Sequence, residues 1–145
     1  MNREQEKKLA GLALEARNRS YAPYSNFSVG AALLTESGKI YQGCNVENIS
    51  YSATNCAERT AVFKAVSEGD LQFQAIAVAG GEKGCEPADF CVPCAVCLQV
   101  LSEFCDPQFQ VLVVKSEEEV KHFTLQELLP VVFDSLKEAG KEEDQ

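Results

Sequence analysis

Apolar positions recur near the start of the chain with a helical period. Leu9, Leu12, Ala13 and Ala16 fall on one face with Lys and Glu opposite, which predicts an amphipathic helix over residues 3–19. The stretch Tyr21-Ala22-Pro23-Tyr24-Ser25-Asn26 ends it, because a proline disfavours helix in the residue before it. Residues 27–35 and 40–46 read as strands joined by the turn Ser37-Gly38-Lys39, a hairpin. Residues 47–55 are polar and carry no period. A helix is predicted over 56–68, with Ala57, Ala61, Val62, Ala65 and Val66 along one side and Gly69-Asp70 at its end. Residues 73–79 form an apolar strand and 80–90 a loop with three glycines. A second buried helix over 94–104 is opened by Pro93, and a strand follows over 109–114. Thr124 caps a short helix over 125–129, Pro130 closes it, and a last helical stretch is expected beyond. Helices interleaved with strands predict an α/β fold, a mixed sheet with helices on both faces.

The length of 145 residues suits one domain, assigned to residues 1–135, with an acidic tail over 136–145 expected to fray. A content of 46% hydrophobic and 24% charged residues is ordinary for a soluble globular protein. The charged opening leads into no long apolar run, so the chain is read as cytoplasmic, with no membrane partner. The formal charge of −9 lacks the basic stripe of a nucleic-acid binder and favours a small uncharged substrate. Seven cysteines, an odd number, argue against a disulfide framework and for reduced thiols. Three of them are candidate metal ligands, and Cys44, Cys85, Cys91 and Cys105 are read as small apolar residues.

Two segments carry the chemistry: Cys56-Ala57-Glu58-Arg59 and Pro93-Cys94-Ala95-Val96-Cys97. Three thiols and one carboxylate suit a catalytic zinc with one coordination position left for water. Three cysteines with a non-ligating glutamate is the ligand pattern of zinc deaminases. Both segments sit at predicted helix starts, where unpaired N–H groups and the positive dipole end favour thiolates. Cys94 and Cys97, three apart, face one side of a helix, and Cys56 must come from the other. Three thiolates around Zn²⁺ leave a negative charge, which Arg59, three residues after Cys56, is placed to offset. Glu58 is the candidate proton carrier. Read alone, Glu58 is a solvated first-turn glutamate and Arg59 a surface arginine. Two rival readings of the cysteines stay open. Cys91, Cys94 and Cys97 form C-x2-C-x2-C, part of an iron–sulfur pattern, though Cys105 follows too late to complete it. A structural zinc held by Cys56, Cys91, Cys94 and Cys97 is the other.

These segments resemble the cytidine deaminases, specifically the small homotetrameric type that acts on free nucleosides. Tyr24-Ser25-Asn26-Phe27-Ser28-Val29-Gly30-Ala31-Ala32, Asn45-Val46-Glu47-Asn48 and Leu128-Leu129-Pro130-Val131-Val132-Phe133 extend the likeness over nearly the whole chain. The resemblance implies a three-layer α-β-α fold around a mixed five-stranded sheet. It implies hydrolytic deamination of cytidine and 2′-deoxycytidine to uridine and 2′-deoxyuridine plus ammonia, in pyrimidine salvage. It implies one Zn²⁺ per chain on Cys56, Cys94 and Cys97, with Glu58 catalytic and Arg59 balancing the thiolates. Phe27, Asn45, Glu47, Ala57 and Phe133 would contact the nucleoside, Phe133 from a neighbouring subunit of a homotetramer. The chain departs from the family pattern at Ala95 and Leu98, where Gly and Arg are usual, and at Ser52-Ala53-Thr54-Asn55. These departures leave a related aminopyrimidine nucleoside, or a non-enzymatic structural zinc domain, as alternatives. The single histidine, His122, is read as a surface residue.

Overall fold

The first helix is fixed at its start by reciprocal capping. In the computed structural model, which describes residues 1–134, the Asn2 side chain accepts from Gln5 N at 2.8 Å and Gln5 Oε1 accepts from Asn2 N at 3.0 Å. Helix α1 (Arg3–Ala16) then runs into a short 3₁₀ turn over Arg17–Arg19. Strands β1 (Phe27–Thr35) and β2 (Ile40–Cys44) form the predicted hairpin, and helix α2 (Ala57–Ser67) leads to β3 (Phe73–Glu82). Helix α3 (Ala95–Phe104) connects β3 to β4 (Gln110–Val114), which turns into β5 (Val120–Thr124) and the single-turn α4 (Leu125–Leu128).

The five strands make one sheet in the order β2-β1-β3-β4-β5. Only β3 and β4 pair in parallel, the other pairs being antiparallel. A parallel pair needs a crossover, and α3 supplies it. Strands β1, β3 and β4 are buried on both faces, which explains their continuous apolar runs. One face is rich in alanine: Ala32, Ala75, Ala77 and Ala79 pack with Leu9, Ala10 and Ala13 of α1. The other carries Leu33, Ile76, Val78, Val111 and Val113 against Ala61, Val62 and Ala65 of α2 and Leu98 and Leu101 of α3. The architecture is therefore three-layered, α1 on one side and α2 with α3 on the other.

The pattern-based reading differs from the fold at several boundaries. Strand β3 continues to Glu82, because Gly80 and Gly81 pair with Val29 and Ser28 through backbone alone. Strand β2 stops at Cys44, and Val46 instead makes isolated bridges with Tyr21 and Asn55. Strand β5 escaped the hydrophobic pattern, since as an edge strand it has only intermediate or exposed side chains. Thr124 caps α4 as read, its hydroxyl accepting from Glu127 N. No helix begins in residues 131–134, and the expected terminal helix and the acidic tail otherwise lie outside the described residues. His122 is half exposed and pairs with Glu6 across 2.8 Å. No helix among the described residues is long and apolar enough to cross a membrane.

Gly43 on β2 sets how closely α2 approaches the sheet. A Cβ there would meet the carbonyl oxygen of Ala57 and lie 2.5 Å from Ala61 N, both backbone atoms that cannot swing away. Gly43→Ala is expected to push α2 outward and destabilise the fold by about 3 kcal/mol. Thermal unfolding should show a melting temperature lower by roughly 10 °C.

Candidate metal centre and active site

Each of the two motif cysteines Cys56 and Cys94 is the N-cap residue of a helix, with extended backbone (φ −76°, ψ 158° and φ −76°, ψ 165°). Their side chains accept no capping bond, which leaves both thiols free to point away from the helix ends. Cys97 lies in the first turn of α3 and is fully buried. Because α2 and α3 pack side by side on one sheet face, their starts bring three thiols together. Cys56 Sγ lies 3.9 Å from Cys94 Sγ, which is 3.5 Å from Cys97 Sγ, and all three fall within 4.8 Å of one another. Thiolates 2.3 Å from a tetrahedral zinc sit about 3.8 Å apart, so the donor set fits the ion.

Cys91 does not join this group, and among the described residues the cluster has three members. The four-cysteine structural site and the iron–sulfur reading thus lose their extra ligand. The Cys91 thiol instead stands against the backbone of Gly80, where burial pushes it up to about 11.

The cluster is electrostatically prepared for a cation. Hydrogen bonding from Cys97, assisted by Arg59, pulls the Cys56 thiol down to about 5. Cys97 is pushed up in return, its thiol proton hydrogen-bonding to Cys56 and burial adding to the effect. A bound metal takes the place of such a proton. Arg59 donates from its terminal nitrogen to Cys56 Sγ at 3.1 Å, and its buried Nε has no partner of its own. A guanidinium held against thiols in this way is no solvated surface group. Thr60 Oγ1 bonds the Cys56 carbonyl at 3.1 Å and accepts from Asn55 Nδ2 at 3.1 Å, which steadies the cap.

Glu58 is only 4% exposed, although its position in a helix's first turn reads as a solvated one. Burial, with the charge on Cys56 adding to it, pushes its carboxyl up to about 7. Its oxygens are not among the converging ligand atoms.

The remaining candidates are placed by the loops around β1. The Asn45 amide brackets the start of that strand: Oδ1 accepts from Val29 N at 2.9 Å and Nδ2 donates to Phe27 O at 2.9 Å. One N–H of this side chain stays uncommitted. Glu47 Oε1 accepts from Tyr24 N at 3.0 Å and Ser25 N at 3.1 Å, and Oε2 accepts from the Ser25 hydroxyl. That hydrogen bonding holds the Glu47 carboxyl below the usual carboxylate range. Between the braces, Asn26 takes the left-handed conformation (φ 59°) and turns the chain into β1 at Phe27, which is 40% exposed. Ala57 is buried at the start of α2. Phe133 is set apart: the residue is 65% exposed and its carbonyl accepts from Gln99 on α3 at 2.8 Å.

The bracing roles of Asn45, Glu47 and Ser25 were not visible in the sequence, whose only local hint is the turn-forming Ser25-Asn26 pair. Leu98 is a core residue on the α2–α3 face, while Ala95 is exposed. The 52–55 stretch is built into the fold: Asn55 pairs with Val46, and Thr54 Oγ1 accepts from Asn48 N at 3.1 Å.

A family model for the cytidine and deoxycytidylate deaminase zinc-binding region matches residues 3–113. The chain belongs to this family. It is 48% identical over 126 residues to a cytidine deaminase of Sporosarcina psychrophila, covering 87% of this chain and 89% of that one. It is 44% identical to a probable cytidine deaminase of Dictyostelium discoideum, covering 92% of this chain and 86% of the relative. The crystal structure of cytidine deaminase from Burkholderia pseudomallei superposes with a TM-score of 0.79 at 44% identity, over 87% of this chain and 97% of that one. The protein is accordingly a deaminase, its cofactor is zinc, and its mixed five-stranded sheet is the fold of the cytidine deaminase crystal structures.

Proposed function

We propose that the protein hydrolyses cytidine and 2′-deoxycytidine to uridine and 2′-deoxyuridine with release of ammonia, as a cytoplasmic enzyme of pyrimidine salvage. The carrying observation is a buried carboxyl, Glu58, beside three converging thiols in a chain of this family. Cys56, Cys94 and Cys97 hold the zinc, which when bound supplies Lewis-acid activation of water. Glu58 takes a proton from the attacking water and delivers it to the ring nitrogen next to the reacting carbon. It then carries the second proton to the amine, the carbon–nitrogen bond breaks, and ammonia leaves. The buried surroundings of Glu58 keep bulk water from intercepting those protons.

Recognition falls to the loops around β1. Phe27 packs on the pyrimidine face. The spare N–H of Asn45 and the free lone pairs of Glu47 meet the sugar hydroxyls, a charged acceptor being the stronger partner. Ala57, at the start of α2, offers its backbone to the base. Phe133 reaches the site of a neighbouring subunit. Exposed Tyr21, Tyr24, Val46, Ile49 and Tyr51 form an apolar surface suited to burial in a homotetramer, whose mass light scattering would read. The chain acts as one deaminase domain over residues 1–135, and its partner is a small nucleoside, with no role for nucleic acid. The reduced-thiol reading of its seven cysteines supports the cytoplasmic placement.

Loss of cytidine and deoxycytidine absorbance, with stoichiometric ammonia, tests the proposal on zinc-loaded protein. Turnover of another aminopyrimidine nucleoside in preference would move the substrate assignment. One zinc per chain with no turnover of any would return the site to a structural role.

Arg59 is proposed to keep three thiolates from overloading the zinc with charge. Arg59→Ala is expected to lower turnover by about tenfold and to weaken zinc retention, one hydrogen bond to a charged group being lost. Zinc content after dialysis against a weak chelator, read beside the turnover number, checks it.

A further inference from the structure

Gly80 and Phe27 share a sheet face. Gly80 pairs with Val29 and Phe27 pairs with Glu82, so the Phe27 ring lies diagonally across from Gly80. A Cβ built on Gly80 would stand 2.9 Å from Phe27 Cε2, 2.8 Å from Cys91 Sγ and 2.9 Å from Cys91 Cβ. Ring and thiol therefore meet over bare backbone and together fill the space a side chain would take. Beside them opens a cavity of about 500 Å³ whose lining includes Phe27, Gly80, Phe90 and Cys91 together with the acidic Glu82 and Asp89. Phe27 is 40% exposed and itself lines that cavity, so the ring has open space to turn into.

We infer that Gly80 and Cys91 are positioning residues that hold the Phe27 ring at the nucleoside site, the bare backbone admitting the ring and the thiol stopping its retreat. The inference rests on the reading that Phe27 packs against the pyrimidine. It assigns a use to Cys91, which the metal centre leaves out, and to a glycine that the hydrophobic pattern reads as loop. A methyl on Gly80 displaces the ring outward, and removal of the Cys91 side chain lets it fall inward. The two changes err in opposite directions, so a methyl on Gly80 can fill the space vacated by Cys91.

The test is a cycle of Gly80→Ala, Cys91→Gly and the double variant, each also made with Phe27→Ala, all as zinc-loaded full-length protein. Each single variant is expected to raise KM for cytidine and the Kd for uridine, read by calorimetry, by about tenfold. Turnover should stay within about twofold and zinc content at one per chain, since the displaced group touches the base and not the reacting atoms. The double variant should recover to within about threefold of the parent, and with Phe27→Ala neither change should add anything. A general packing defect gives additive losses and no recovery, and that result overturns the inference. Zinc lost from Cys91→Gly would mean that Cys91 steadies the metal loop, and also overturns it. If Phe27→Ala raises KM while both singles leave it unchanged, the ring is held by something else and only this inference falls. If Phe27→Ala changes neither constant, the pyrimidine-packing reading falls and takes the inference with it.

Discussion

Glu58→Gln protein should bind zinc as the parent does and deaminate cytidine about a thousand-fold more slowly. The amide nearly matches the carboxyl in shape, so the buried space at the start of α2 stays filled. Glu58 oxygens are not among the converging ligand atoms, so the three thiols keep the ion. What the amide cannot do is take a proton from water and pass it on. Every proton in the proposed reaction passes through this one group, and at 4% exposure no solvent stands ready to replace it. Absorbance at the cytidine band, measured beside zinc content, decides the matter. A variant with full zinc and nearly full activity would transfer the proton role to another group. A variant without zinc would make Glu58 a structural partner of the thiols.

The second large effect concerns the cluster. Cys97→Ala is expected to abolish zinc retention and with it turnover, leaving less than about a thousandth of the parent rate. Cys97 is the fully buried member of the three, and its Sγ lies 3.5 Å from that of Cys94. Without it, two thiols from two different helices remain, fewer than the three protein ligands a catalytic zinc would take. The loss should be visible without any assay of activity. A site a thousandfold above its Kd in free zinc adds about 4 kcal/mol to folding. Chelator should therefore lower the parent's melting temperature by roughly 10 °C or more and leave the Cys97→Ala protein unmoved. An equal chelator response in both would place the metal elsewhere.

How far the sequence alone reached depended on the range of the interaction concerned. The amphipathic face of α1, the hairpin, the two site helices and the apolar runs of β3 and β4 are periodic in the chain, and each appears within a few residues of its expected place. The convergence of the three thiols was legible for the same reason. Cys94 and Cys97 are three apart at a helix start, a local geometry, and Cys56 stands at a second one. Where a neighbour in space replaces a neighbour in sequence, the reading thinned. Gly80 and Gly81 look like loop but extend β3, because strand pairing uses backbone that glycine has in full. Val120–Thr124 looks like no strand, because an edge strand with no fully buried side chain shows no clean alternation. Asn45 and Glu47 were singled out for the sugar, and their bracing of the Tyr24–Val29 segment could not be foreseen from their spacing.

The sequence by itself determined the helices, the central strands, the three thiols and the carboxylate two residues after the first of them, since each is a property of short stretches with a fixed period or spacing. Only the tertiary structure decided that Cys91 stands outside the metal group and that Glu58 is sealed from water. Those two facts depend on how the helices and loops settle on a common sheet face. Burial and charge are sums over that packing, and no single segment contains them.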